Sequence, residues 1–410
     1  MLRLLYLLTT VLALGGCAGL ARNPVPLADG ARAAIPGMPD VRAWAAEPSE
    51  AMERDFALSF NQEGPGTFVR RSDGRSVYPQ LALSGGGPNG AFGAGFLKGW
   101  TESGQRPVFK IVTGVSTGAM MAPFAFLGSA YDDRIEHFYT TTATQDVFAM
   151  PRSLLLQVLR GEAVADSAPL AALIASDLDL PLLQQIAAAH AEGRRLYIGT
   201  VDLDAQRFVV WNMGLIAQAG TPQALQLFRD VVLASASVPL AVQPVFFEVD
   251  VDGRRYDEMH VDGAVGARVF YNGGLFRTSA VRQRALQDDT YEDVYIIHNG
   301  QLSPQAERTD RTLRSIGQRT LRALSLGATS GDLFRIYVQT GAEGAGFHWV
   351  TMPDGVELRG GELFDPVQMR RLFDLGYDMA RQGPRWETRP PGYQRVIGGA
   401  RQPSARPTPQ

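Results

Sequence analysis

Residues 109–128 read FKIVTGVSTGAMMAPFAFLG. β-Branched Ile111, Val112 and Thr113 lead in, and the apolar run Ala119–Leu127 leads out. The first predicts a short buried strand, the second a helix. Between them Gly114-Val115-Ser116-Thr117-Gly118 is a G-x-S-x-G turn. Such a turn sets its serine on a sharp strand-to-helix bend, with glycine two residues to each side to avoid a clash. The motif occurs once in the chain, so Ser116 is the candidate nucleophile, with Gly114 and Gly118 as its supports.

Upstream, LALSGGGPNGAFGAGFLKGW (81–100) carries G-x-G-x-x-G at Gly85, Gly87 and Gly90. A dinucleotide site also needs an acid at the end of the next strand, about twenty residues on. Val108–Thr113 ends in Gly114-Val115-Ser116 instead. A phosphate loop needs Lys and Ser or Thr after its last glycine, where Ala91-Phe92 stand. What is left is a row of backbone N–H groups at a helix start, able to hold a developing oxyanion, or a plain structural turn. Gly85, Gly86 and Gly87 are the candidate donors, and Gly90 opens the helix.

Two bases compete for the serine. The Ser–His–acid order of an α/β-hydrolase asks for a late histidine. His298, ending DVYIIH, suits it better than His260 or His348. The rival is a carboxylate acting directly, and YDEMHVDGAVGA offers Asp262. Asp-Gly occurs five times, at Asp29, Asp73, Asp252, Asp262 and Asp354. Asp252-Gly253 reads as the turn of a hairpin between VFFEV and RRYDEMHV. Asp262-Gly263 ends its return strand, where a side chain can be presented at a sheet edge.

The ordered set Gly85-Gly86-Gly87-Pro88-Asn89-Gly90, Gly114-Val115-Ser116-Thr117-Gly118 and Asp262-Gly263-Ala264 resembles the patatin-like phospholipase family. LYIGTVDLDAQRFVVWN (196–212), VVLASASVPLAVQPV (231–245) and FDPVQMRRLFDLGYDMA (364–380) resemble the family's central strand pair, serine-rich helix and closing helix. The likeness spans roughly 300 residues in order. It implies an α/β fold with a central, mainly parallel sheet flanked by helices, and a Ser116–Asp262 dyad without histidine. It also implies an oxyanion held by the glycine-loop amides and a lipid or lysolipid acyl ester as substrate. The chain departs from the family twice. Asn89 stands where the family usually carries Arg or Lys, which leaves lysolipids, glycolipids and neutral esters open. Arg268-Val269 stands where Asn-Pro is common, in the segment that positions the aspartate.

Around this centre, candidate strands are Leu81–Leu83, Val108–Thr113, Leu196–Val201, Phe208–Trp211, Val245–Val249 and Val294–His298. The stretch 150–192 reads as helices, and a short helix near Ser49–Phe60 takes Ser49 as its cap. Ser235 and Ser237 read as helix-packing or capping residues, and Met120 and Met121 as lining a core or an acyl channel. Asp202 and Asp204 fit a strand end; two carboxylates do not make a metal site, and neither metal nor cofactor is expected.

The 410 residues hold 45% hydrophobic and 20% charged side chains with a formal charge of −3. That composition suits a globular core and excludes a basic field for nucleic acid. Residues 1–16 read as a signal peptide. Leu14-Gly15-Gly16-Cys17 resembles a lipobox, which makes Cys17, the only cysteine, the expected lipidation site. It implies a bacterial envelope protein tethered to a membrane, with Ala18 pointing to the outer one. Residues 17–75, proline-rich at first, read as tether and N-terminal arm; 76–383 as the acyl hydrolase domain; and the Pro/Arg-rich 384–410 as a disordered tail.

Overall fold

The computed structural model describes residues 22–64, 66–149, 163–285, 290–304, 306–356 and 362–393. Cys17, the signal segment, residues 150–162 of the expected helical stretch and the tail beyond 393 lie outside them. Among the described residues nine strands make one mixed sheet: β1 Arg42–Trp44, β2 Ser76–Leu83, β3 Ile111–Val115, β4 Arg195–Asp202, β5 Arg207–Asn212, β6 Val245–Val251, β7 Arg254–Asp262, β8 Thr290–His298 and β9 Gly346–Thr351. Their order is β1-β5-β4-β3-β2-β8-β9, with the β6–β7 hairpin joined to β4. The centre, β4-β3-β2-β8-β9, is parallel. β2 from Tyr78, all of β3 and all of β4 are buried, as apolar strands covered on both faces should be.

The helices are α1 Glu50–Ser59, α2 Gly90–Glu102, α3 Thr117–Leu127, α4 Asp132–Thr141, α5 Thr144–Val147, α6 Ala168–Asp177, α7 Leu180–Ala191, α8 Met213–Gln218, α9 Pro222–Ser235, α10 Thr278–Arg284, α11 Leu313–Glu343 and α12 Pro366–Ala380. Strand alternation sorts the core. Leu81, Leu83 and Val112 face Phe92, Phe96 and Met121 of α2 and α3. Ile111 and Val115 face Met52 and Phe56 of α1 on the other side, where Ala82 and Ile296 meet Leu333 and Ile336 of α11. The sheet is therefore covered on both faces, and the expected α/β architecture stands.

Ser49 caps α1 as expected, its Oγ accepting from Met52 N at 3.3 Å. Residues 22–44 differ from the arm that their prolines suggest. Pro24 bridges Asp257, Ala34 bridges Asp250, and β1 pairs with β5, with Ile35 and Val41 in the core. Arg22 reaches both Asp204 and Asp257 at 2.6 Å. Proline bars a long ladder but not single bridges to a distant hairpin. The start of the tail likewise is ordered: Trp386 packs edge-on or tilted against Phe96, Trp100 and Tyr295, and Glu387 bridges Trp349 of β9. The sequence pattern names neither β9 nor α11.

One register places the site. β3 pairs with the first half of β4 and ends with Val115 opposite Gly199. The next β4 residue, Thr200, pairs with Asp262, the last residue of β7. β3 and β7 thus meet end to end along one edge of β4, so Ser116 and Asp262 face each other inside the sheet, not at its rim.

Candidate active site

Ser116 stands at the cap position just before α3 with φ 55° and ψ −125°, a left-handed-side conformation that costs a non-glycine residue on the order of 1–3 kcal/mol. The turn leaves no room at its flanks. A Cβ on Gly114 would stand 2.5 Å from the Gly118 carbonyl oxygen, and one on Gly118 2.3 Å from that of Leu83. The strained turn is pinned from behind. Ser116 N donates to Ser235 Oγ at 3.0 Å, and the Ser235 hydroxyl donates to Gly199 O at 2.7 Å. Ser235 is therefore more than a packing residue, because it ties the turn to β4. Ser237 caps as expected, donating to Leu233 O at 2.8 Å.

Ser116 Oγ donates to Asp262 Oδ2 at 2.7 Å. The other carboxylate oxygen accepts from Ala264 N at 2.8 Å, which orients the group. Asp262 is 3% exposed. Burial pushes its carboxyl up to about 6, against the hydrogen bonds from Ser116 and Ala264 and the charge of Arg268. Gly263 follows in contact range of the Gly199 backbone, where a Cβ would stand 2.3 Å from its carbonyl oxygen. Arg268, noted in the sequence only as a departure, is thus the cation whose charge bears on the carboxylate.

The glycine loop closes over this pair. Gly85 lies against Ser116, but its N–H donates to Arg268 O at 3.0 Å, so it drops out as an oxyanion donor. The N–H groups of Gly86 and Gly87 have no acceptor among the described residues, and they lie at the turn Gly87–Asn89 that opens α2. Gly90 packs on Thr117 and Tyr139, whose hydroxyls lie 2.5 Å apart. The loop is clamped by a residue the sequence did not single out. Asn299 takes Ser84 Oγ on its N–H at 2.8 Å, donates Nδ2 to Ser84 O at 2.9 Å, and accepts from Gly93 N at 3.1 Å. Its backbone approaches so closely that a Cβ on Gly86 would stand 2.3 Å from Asn299 O. Only the position just after β8 hinted at it.

His298 does not join the set. Its Nδ1 lies 2.9 Å from Thr351 Oγ1, and burial drops its ring to about 4, leaving it neutral. His260 pairs with Thr200 and Glu258, and His348 with Asp293. Asp202, Glu258 and His260 bring ligand atoms within 4.8 Å of one another. Glu258, however, is gripped by Arg42 through both oxygens, which makes the group a buried ion-pair network. Met120 and Met121 line an apolar cavity with Phe124, Phe138 and Tyr139, starting one helical turn beyond Ser116.

A serine on a strained strand–helix turn, hydrogen-bonded to a buried carboxylate beneath a glycine loop, is the arrangement of a hydrolase-type α/β domain. Residues 81–272 match the family model described as patatin-like phospholipase, and this segment belongs to that family. No curated protein sequence matches the chain. Among solved structures, it is similar to VipD from Legionella pneumophila, at 13% identity over 76% of this chain and 68% of VipD, with a TM-score of 0.36. That likeness is too distant to bear on any residue.

Proposed function

We propose that this protein is a serine acyl hydrolase that cleaves fatty-acyl esters of lipids through a Ser116–Asp262 dyad. The observation that carries the reading is the 2.7 Å hydrogen bond from Ser116 Oγ to a carboxylate held at about 6 by burial. An ordinary carboxylate, near 4, is a poor base for an alcohol; pushed up to about 6 by burial, it becomes a usable one near neutral pH. Ser116 Oγ attacks the ester carbonyl while its proton passes to Asp262. The oxyanion forms against the free N–H groups of Gly86 and Gly87, donors worth about 3–4 kcal/mol each in comparable sites. The protonated Asp262 then gives its proton to the departing alcohol. Water repeats the sequence on the acyl-enzyme, returning fatty acid and free enzyme.

The test is labelling with a fluorophosphonate probe together with turnover of a panel of lipid esters. Ser116→Ala must abolish both, and Asp262→Asn must abolish turnover. His298→Ala must retain turnover within a few-fold; a loss of several decades would transfer the role of base to the histidine. We further propose that Cys17 carries a lipid anchor that keeps the enzyme at a bacterial envelope membrane, supported by its place after Leu14-Gly15-Gly16. Cys17→Ser should release the protein from the membrane fraction.

A further inference from the structure

We propose that the amino-terminal half of α11 is a membrane-docking element that seats the open end of the site on an anionic lipid surface. The proposal rests on the lipid-hydrolase reading for its purpose, and on the shape and chemistry of the helix for its evidence. α11 runs against the parallel strands. The chain leaves β8 at His298, on the end of the sheet where Ser116 lies, and α11 finishes at Glu343, just before β9, whose Gly346 pairs with Asp293. From Asp293 to His298 a strand climbs about 16 Å. From Glu343 back to Asp332 the helix climbs about 16 Å as well. At Asp332 it is therefore level with the site, and the contacts agree. Asp332 Oδ2 accepts from Arg268 N at 2.6 Å, and Arg268 O holds the Gly85 amide beside Ser116. The rest of the helix, from Asp332 to Leu313, runs on for about 28 Å beyond that level.

This overhang is apolar where a soluble helix would be polar. Leu313 is 92% exposed, Leu321 68%, Leu324 65% and Ile316 50%, and Val338 continues the stripe towards the body at 66%. At 100° per residue these side chains fall in an arc of about 140°, opposite the arc that buries Thr329, Leu333 and Ile336. Among the described residues nothing covers the stripe. Its surroundings are basic: Arg308, Arg311, Arg319 and Arg322 outnumber Glu307 and Asp310, in a chain whose formal charge is −3. Glu307 engages Arg319 and Arg322 at 3.4 and 3.5 Å and leaves the arginines in excess. At the same 100° per residue Arg322 and Arg319 fall at and beside the face opposite the stripe, and an apolar stripe backed by a basic polar face is the composition of a helix lying in the interface of an anionic bilayer. A second copy of the chain would bring the same arginines together.

The experiment uses the full chain carrying Cys17→Ser, so that an N-terminal anchor does not hold it. Binding is measured by co-sedimentation with phosphatidylcholine vesicles, either pure or with about 30% phosphatidylglycerol. The parent should bind the anionic vesicles, and Leu321→Glu with Leu324→Glu should lower the bound fraction at least tenfold. Arg319→Gln with Arg322→Gln should weaken binding to the anionic vesicles several-fold and leave that to pure phosphatidylcholine unchanged. Both variants should keep the parent's hydrolysis of a water-soluble monomeric ester, which checks their folding. The proposal is overturned if the parent ignores anionic vesicles or if the glutamate variant binds like the parent. It is also overturned if light scattering shows a parent dimer that the glutamates split, which would make a second copy the occupant. Absence of soluble-ester turnover in the parent would sink the hydrolase reading and leave the vesicle result standing.

Discussion

Replacing Asp262 by Asn should destroy turnover and stabilise the fold, and the stabilisation should depend on pH in a defined way. The carboxyl stands at about 6 in the folded protein against 3.8 in the open chain, with desolvation as the main cause. Between those values the folded state binds more protons than the unfolded state, so wild-type stability falls as pH rises from about 4 to about 6. Each unit is worth about 1.4 kcal/mol, which makes the full cost of ionising the buried group about 3 kcal/mol above pH ~7. Asn keeps the shape and an oxygen for the Ala264 amide, and carries no charge to desolvate. Urea denaturation of wild type and Asp262→Asn, read at pH ~4 and pH ~8, checks this. The variant should be about 3 kcal/mol more stable at the higher pH and nearly equal at the lower. An equal gap at both values, or a less stable variant at pH ~8, would refute the argument that burial, not the Arg268 charge or the hydrogen bonds, dominates this site.

The same carboxyl predicts the pH–rate profile: kcat/KM should rise through about pH 6, where Asp262 loses its proton, and then level off. A profile that instead titrates near an ordinary carboxylate would place the base elsewhere. Ser235→Ala removes the acceptor of the strained Ser116 amide and should cost about 1–3 kcal/mol in chemical denaturation, with a fall in kcat larger than any change in KM. Gly86→Ala drives a methyl group into the Asn299 carbonyl and should lower kcat at least a hundredfold through displacement of an oxyanion donor, measured on a soluble ester.

Much of this site was legible from residue types. Gly114, Ser116 and Gly118 carry their own steric logic, since the turn has room for no side chain at either glycine. The hairpin turn at Asp252-Gly253 was readable as well, because a two-residue turn with both residues at positive φ is a local event. Other parts were not local. Nothing near Gly85 announces that its amide belongs to Arg268. Nothing near Asn299 announces that it clamps a loop more than two hundred residues earlier. The prolines of residues 22–44 suggested an arm and said nothing of the hairpin it would lie against.

The sequence by itself determined the local pieces: a serine elbow, a glycine-rich turn at a helix start and a short choice of bases, each set by backbone geometry within a few residues. Tertiary structure decided which of them meets the serine. The residues alone left Asp262 and His298 competing, and the register of β4 sets Asp262 against Ser116 by ending β3 and β7 against each other at Gly199 and Thr200. It also buried that carboxylate, which pushes its pKa up to about 6, and left the amino-terminal half of α11 with its leucines exposed. Pairing and burial are sums over residues far apart in the chain, and no short window of sequence contains them.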